Sequence, residues 1–100
     1  MNNELKMGIE NLATLLTSKL NDRHPTLPDH SFSTTVGRKY TKILDPRGGV
    51  WGFVVMTTDD EKFEQGDILK PASWSSPTRN FARGNVLHTK PVGGGLVYGL

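Results

Sequence analysis

Val50-Trp51-Gly52-Phe53-Val54-Val55-Met56-Thr57 is the most apolar stretch of the chain. Side chains along a strand point alternately to its two faces. Here both alternating sets are apolar, so residues 50–57 read as a strand covered on both sides, the central strand of a sheet. Just before it, Asp45-Pro46-Arg47-Gly48-Gly49 is a turn by composition. Residues 31–44 read as the preceding strand, with a bend at Gly37. Period two places Val36, Arg38, Tyr40 and Lys42 on one face and Lys39, Thr41 and Ile43 on the other. After the central strand, residues 58–66 form a charged loop ending in Gly66. Asp67 to Trp74 reads as a short third strand. Pro71 cannot donate to a sheet ladder and places this strand at an edge.

Further out, Leu5, Ile9, Leu12, Leu16 and Leu20 recur at spacings of four, three, four and four. That is one face of a helix over residues 3–20, capped by Asn2 or Asn3. The stripe packs on the sheet of its own chain or serves as a partner or self-association surface. Pro25 and Pro28 make the following stretch a connector. Beyond Trp74, Ser75 or Ser76 caps a turn of helix through Pro77 and Arg83. Gly93, Gly94 and Gly95 form a hinge, and Leu96, Val97 and Tyr98 offer a short fourth strand. The expected fold is α+β: an N-terminal helix (3–20) packed on a three-stranded antiparallel meander (31–74), with an irregular C-terminal segment (75–100), all in a single domain 1–100.

The 100 residues suit one domain. With 35% apolar and 22% charged residues the chain is polar for a globular protein. No apolar run approaches the ~18 residues of a membrane helix, so no membrane association is expected. The N-terminus has no basic start followed by an apolar block. Cysteine is absent, which removes disulfides and thiolate chemistry and leaves the cytoplasm as the expected compartment.

The net charge of +2 is unevenly spread. Residues 31–58 carry Arg38, Lys39, Lys42 and Arg47 against Asp45 alone. Residues 59–67 hold Asp59, Asp60, Glu61, Glu64 and Asp67 against Lys62. Residues 68–100 carry Lys70, Arg79, Arg83 and Lys90 with no acid. Two basic segments flank an acidic knot, which reads either as a solvated surface or as a site for an anionic partner.

Enzyme signatures are missing: no phosphate-cradling GxxxxGK[ST], no GxGxxG, no GxSxG and no HExxH. His24, His30 and His88 lack a recognised zinc spacing. The acidic loop lacks the pattern of an EF-hand. Neither a catalytic residue nor a metal or cofactor site is expected.

Two mixed segments remain. In the first, strand alternation sets Arg38, Tyr40 and Lys42 side by side, with Lys39 adjacent. Cations flanking an aromatic ring suit phosphates with a base or sugar between them. The plainer reading is a strand with Tyr40 in the core and its basic neighbours reaching past it. The second runs Lys70-Pro71-Ala72-Ser73-Trp74-Ser75-Ser76-Pro77 and on to Arg79, Asn80, Arg83 and Asn85. Trp74 can stack on a flat ring, and Ser73, Ser75 and Ser76 can donate hydroxyl bonds. Arg79 and Arg83 would share a side of a helical turn. Asn80 or Asn85 can read a base edge. The plainer reading makes Trp74 a core plug.

At these residues the chain resembles a widespread set of small bacteriophage proteins, mostly of unassigned function. Gly37-Arg38-Lys39-Tyr40, Gly66-Asp67-Ile68-Leu69-Lys70-Pro71-Ala72-Ser73-Trp74, Ala82-Arg83-Gly84-Asn85 and the tail Gly93 to Tyr98 carry the resemblance. It spans roughly residues 31–100 and departs from the pattern in the longer, more acidic loop at 58–65. It implies a phage source and action in the host bacterial cytoplasm, and it supplies no catalytic residues.

The expectation is therefore a non-enzymatic binder of a small phosphorylated ligand, a nucleotide or cyclic nucleotide. The phage resemblance suggests sequestration of a host immune signal. A nucleic-acid binder and a protein inhibitor of a host factor are the alternatives. Arg38, Lys42, Trp74, Ser75, Arg79 and Arg83 should converge on the ligand, within one chain or across a homo-oligomer interface.

Overall fold

The computed structural model describes residues 3–23, 31–80, 82–87, 90–92 and 95–97. The expected connector prolines, all three histidines, Gly93, Gly94 and Tyr98 lie outside these residues.

Helix α1 runs from Asn3 to Arg23, with Glu4 in its first turn, where a negative charge complements the helix dipole. Leu5, Ile9, Leu12 and Leu16 are buried as the spacing requires, and Leu20 is half-buried. The helix continues three residues past the expected end. Proline disfavours helical geometry only in the residue directly before it, so Pro25 leaves residues 21–23 free to stay helical. The Thr17 hydroxyl donates to the Ala13 carbonyl at 2.8 Å and accepts from the Phe32 amide at 2.9 Å. That contact fastens the returning chain beside the helix.

The expected bent strand 31–44 is a hairpin instead. Strand β1 (Ser33–Val36) pairs antiparallel with β2 (Tyr40–Leu44), Val36 opposite Thr41. Gly37 is the point of reversal, not a bend: a Cβ there would stand 2.5 Å from the Tyr40 carbonyl oxygen. Only glycine permits that approach. Strand β3 (Val50–Val55) follows the expected turn, in which the Asp45 carboxylate accepts from the Arg47 and Gly49 amides at 2.8 and 3.1 Å.

Strand β3 is central, between β2 and β4 (Asp67–Leu69). The main sheet has five strands in the order β1-β2-β3-β4-β5, each pair antiparallel, with β5 at Gly84–Asn85. Two expectations are corrected here. The third strand is not an edge, because β5 lies alongside it. It also stops at Leu69: Pro71, lacking an N–H, lies beyond the ladder in an isolated bridge with Pro77. The C-terminal segment is irregular, as expected, over residues 75–80 and 82–83, and carries short strands beyond them. It contributes β5 and a separate hairpin of β6 (Lys90–Val92) and β7 (Gly95–Val97). The expected fourth strand is thus β7, paired with β6 and outside the main sheet.

The register sorts side chains into two rows, since residues directly opposite each other share a face. Thr41, Val54 and Ile68 form one row; Lys42, Phe53 and Leu69 form the other. The first row meets the helix. Leu5, Ile9, Leu12, Leu16, Ile43, Val54, Ile68 and Val86 are one buried cluster. Each such side chain stabilises the fold by about 1.5–3 kcal/mol. The second row meets loops: Phe53, Val55, Phe63 and Leu69 are buried together, with Tyr40, Val50 and Ala82 packed against them. This double cover accounts for the two-sided apolar character of residues 50–57.

Candidate functional site

The loop face carries most of the residues that the sequence singled out. Two segments lie over it: the acidic loop between β3 and β4, and the chain from Lys70 to Arg83. No helical turn forms among the described residues of the latter. Residues 70–78 are an arch closed like a small hairpin. Thr78 donates its amide to the Lys70 carbonyl at 2.8 Å and its hydroxyl to the same oxygen at 3.0 Å. Ala72 and Ser73 both donate to the Ser76 carbonyl, at 2.9 and 3.1 Å. Pro71 and Pro77 face each other across it and limit its freedom.

Trp74 stands on this arch 58% exposed. It is not a core plug. The Lys42 ammonium sits 4.2 Å from its ring centroid, within cation–π range. Lys70, Ser73, Ser75 and Ser76 are exposed around it, and no residue from 70 to 78 is acidic.

Tyr40 lies two positions before Lys42 on β2, so both point to the loop face. Its ring meets Phe53 edge-on at 6.0 Å, and its hydroxyl accepts from Arg79 Nη1 at 2.6 Å. Arg79 Nη2 donates to both oxygens of Asp60, at 2.8 and 3.0 Å. The guanidinium lies 5.0 Å above the Phe63 ring. Lys62 Nζ donates to the Arg79 carbonyl at 2.6 Å. Asp60 also accepts from the Lys62 and Phe63 amides, both at 2.9 Å. Arg79 therefore ties the first hairpin, the acidic loop and the arch together. The Asp60 side chain is 3% exposed and that of Arg79 41%. The Arg79 hydrogen bond, reinforced by the two amides, holds the Asp60 carboxyl far below the usual carboxylate range. Asp60 in turn raises the affinity of Arg79 for its proton.

Sequence separation misled here. The basic segment after residue 68 has no acid of its own, yet Asp60 folds onto it. Arg38 and Lys39, exposed in the loop of the first hairpin, join Thr57, Asp59, Asp60, Glu61 and Arg79 around an open cleft of about 470 Å³. Its cations are matched by carboxylates. Lys39 Nζ is also 5.5 Å from the Tyr40 ring centroid.

The structure separates Arg83 and Asn85 from this group. Arg83 lies 4.6 Å over the Trp51 ring, so it does not share a side with Arg79. Asn85 is buried, with its amide nitrogen donating to the Gln65 carbonyl at 3.1 Å and Asp67 Oδ1 at 2.8 Å. Its carbonyl oxygen accepts from the Leu87 amide at 2.7 Å. Both amide hydrogens are thus spent within the chain. Asp60, Lys62 and Phe63 were missed by the sequence reading. The available signal was an aromatic residue inside an otherwise charged loop, which has little reason to be there unless it is buried.

No helix among the described residues is long and apolar enough to cross a membrane. No curated protein and no solved structure matches this chain. Over residues 2–92, however, it matches DUF7717, a family of unknown function, and the chain belongs to that family.

Proposed function

We propose that this protein binds, without transforming it, a phosphorylated ligand bearing a flat ring, a nucleotide or cyclic nucleotide, on the arch of the loop face. The observation that carries this reading is the exposed Trp74 ring with Lys42 at 4.2 Å on a stiff, acid-free arch. A base stacks on the indole, while Lys42, Lys70 and the hydroxyls of Ser73, Ser75 and Ser76 supply charge and hydrogen bonds for phosphate. The cleft beside Arg38 and Lys39 suits phosphate less, because Asp59 and Glu61 line it too. Arg79 is a structural clamp in this reading. Arg83 and Asn85 stand apart from the ligand. The resemblance to small bacteriophage proteins adds the setting: a phage protein in the host cytoplasm that sequesters a nucleotide immune signal.

Calorimetry and thermal shift with a panel of mononucleotides, cyclic mono- and dinucleotides and a thymidine oligonucleotide test this. Trp74→Ala should stay folded and bind the active compound roughly 5–150-fold more weakly, the equivalent of about 1–3 kcal/mol of stacking. Lys42→Ala should weaken it as well, while Lys6→Ala, the same charge change at an exposed position of the helix on the other face of the sheet, should not. Unchanged affinity in folded Trp74→Ala would place the site elsewhere. Salt separates ligand classes. A small nucleotide gives moderate salt dependence. A strand held by ~6 phosphate contacts loses about 10³-fold or more between 50 and 200 mM salt, and that outcome would make the protein a nucleic-acid binder.

A further inference from the structure

Strand β1 is the outer strand of the main sheet, and its four residues, Ser33-Thr34-Thr35-Val36, are all exposed. Among the described residues nothing pairs with its outer edge. Proteins ordinarily guard such an edge with lysine, proline, a bulge or an inward-pointing charge. From Ser31 to Gly37 there is no charged residue and no proline. The β1–β2 register runs without a break. Val36, on the same face as buried Thr41, is 60% exposed.

We propose that β1 is a self-association edge, pairing antiparallel with β1 of a second copy about a two-fold axis through Thr34. An axis perpendicular to the sheet keeps each copy's helix on the same side, so directly opposite residues must have the same parity. Centred on Thr34, the pairing sets Thr34 against Thr34, and Ser33 of each copy against Thr35 of the other. It also sets Phe32 of each copy against Val36 of the other. Thr–Thr, Ser–Thr and aromatic–β-branched pairs are favourable cross-strand neighbours, and the exposed Val36 gains an apolar cover. Phe32 already packs on the helix-side core, which fixes the face it shares with Thr34 and Val36. A second copy fits better than a foreign peptide. Strand addition by a peptide gains its specificity from side-chain pockets, whereas β1 presents a short row of exposed hydroxyl and β-branched side chains that is complementary to itself. The isologous arrangement needs no other partner. A four-residue ladder buries much less than the ~1,000 Å² of a stable interface, so the dimer is weak and concentration-dependent.

Sedimentation equilibrium across a hundredfold range of concentration reads this directly. The expected result is a monomer–dimer equilibrium that Thr34→Glu, placing like charges opposite each other at the axis, weakens roughly tenfold or more. Amide exchange on the unmodified chain gives a second readout: Ser33–Thr35 should be protected more strongly as concentration rises. A monomer at every concentration overturns the proposal. So does a dimer that Thr34→Glu leaves intact, or one that forms without added protection in β1.

Discussion

Asp60 shows how a single carboxylate can belong to two distant parts of a chain. It closes its own loop through the Lys62 and Phe63 amides and also holds Arg79. Its folded-state affinity for a proton is depressed, chiefly by the Arg79 hydrogen bond, whereas in the unfolded chain an aspartate titrates near pH ~3.9. Between these values the unfolded state binds more protons, so stability rises with pH there. The contribution is fully present above the unfolded value and is lost as the pH falls toward the folded one. Urea midpoints from neutral pH into the acid range should show Asp60→Asn less stable than the original chain at pH 7, with the gap closing below about pH 4. A gap of constant size would mean that Asp60 acts by its shape and not its charge. None of this was legible beforehand. Asp60 sits among five acids and looks like one more solvated charge, and only the fold brings Arg79, 19 residues away, to it.

Among the elements, the helix was the easiest to foresee, because its stripe of leucines and one isoleucine has the helical period and nothing interrupts it. Its contact with the rest of the molecule was not foreseeable. Gly8 lies inside the helix, where glycine costs about 0.8–1.0 kcal/mol relative to alanine. A Cβ at that position would meet the Val86 carbonyl oxygen at 2.6 Å and the Val86 Cβ at 3.1 Å. Crowding of this kind in packed interiors typically costs 1–3 kcal/mol. Gly8→Ala should therefore lower the melting temperature, against its helix propensity. Ser18→Ala, at an exposed position of the same helix, should leave it unchanged or raise it slightly. A more stable Gly8→Ala variant would mean that the helix sits less tightly on Val86. The first hairpin failed for the opposite reason. Its alternation runs unbroken through Gly37 into Tyr40, so period two cannot distinguish one long strand from two short ones. The central strand succeeded because double burial is written into its composition. The roof over its second face was hidden in Phe63, one aromatic ring among charges.

At the scale of the whole molecule, the main sheet has a helix from the beginning of the chain on one side and loops from its second half on the other. Ile43, Val54 and Ile68 have the helix as their cover. A chain lacking residues 1–23 should therefore fail to fold cooperatively, with narrow amide dispersion in its NMR spectrum and no sharp thermal transition. Native-like dispersion would show that the loop-side cluster sustains the sheet unaided. The same arrangement sets a timetable for synthesis. The helix leaves the ribosome before the sheet, yet the groups that receive it extend to Val86. At about 5–20 residues per second, several seconds pass before that last partner emerges. During this interval a helix only marginally stable by itself must wait with its apolar stripe bare. The nascent chain is then a natural client for a chaperone that recognises short apolar segments, and Leu5, Ile9, Leu12 and Leu16 are the side chains it would grip.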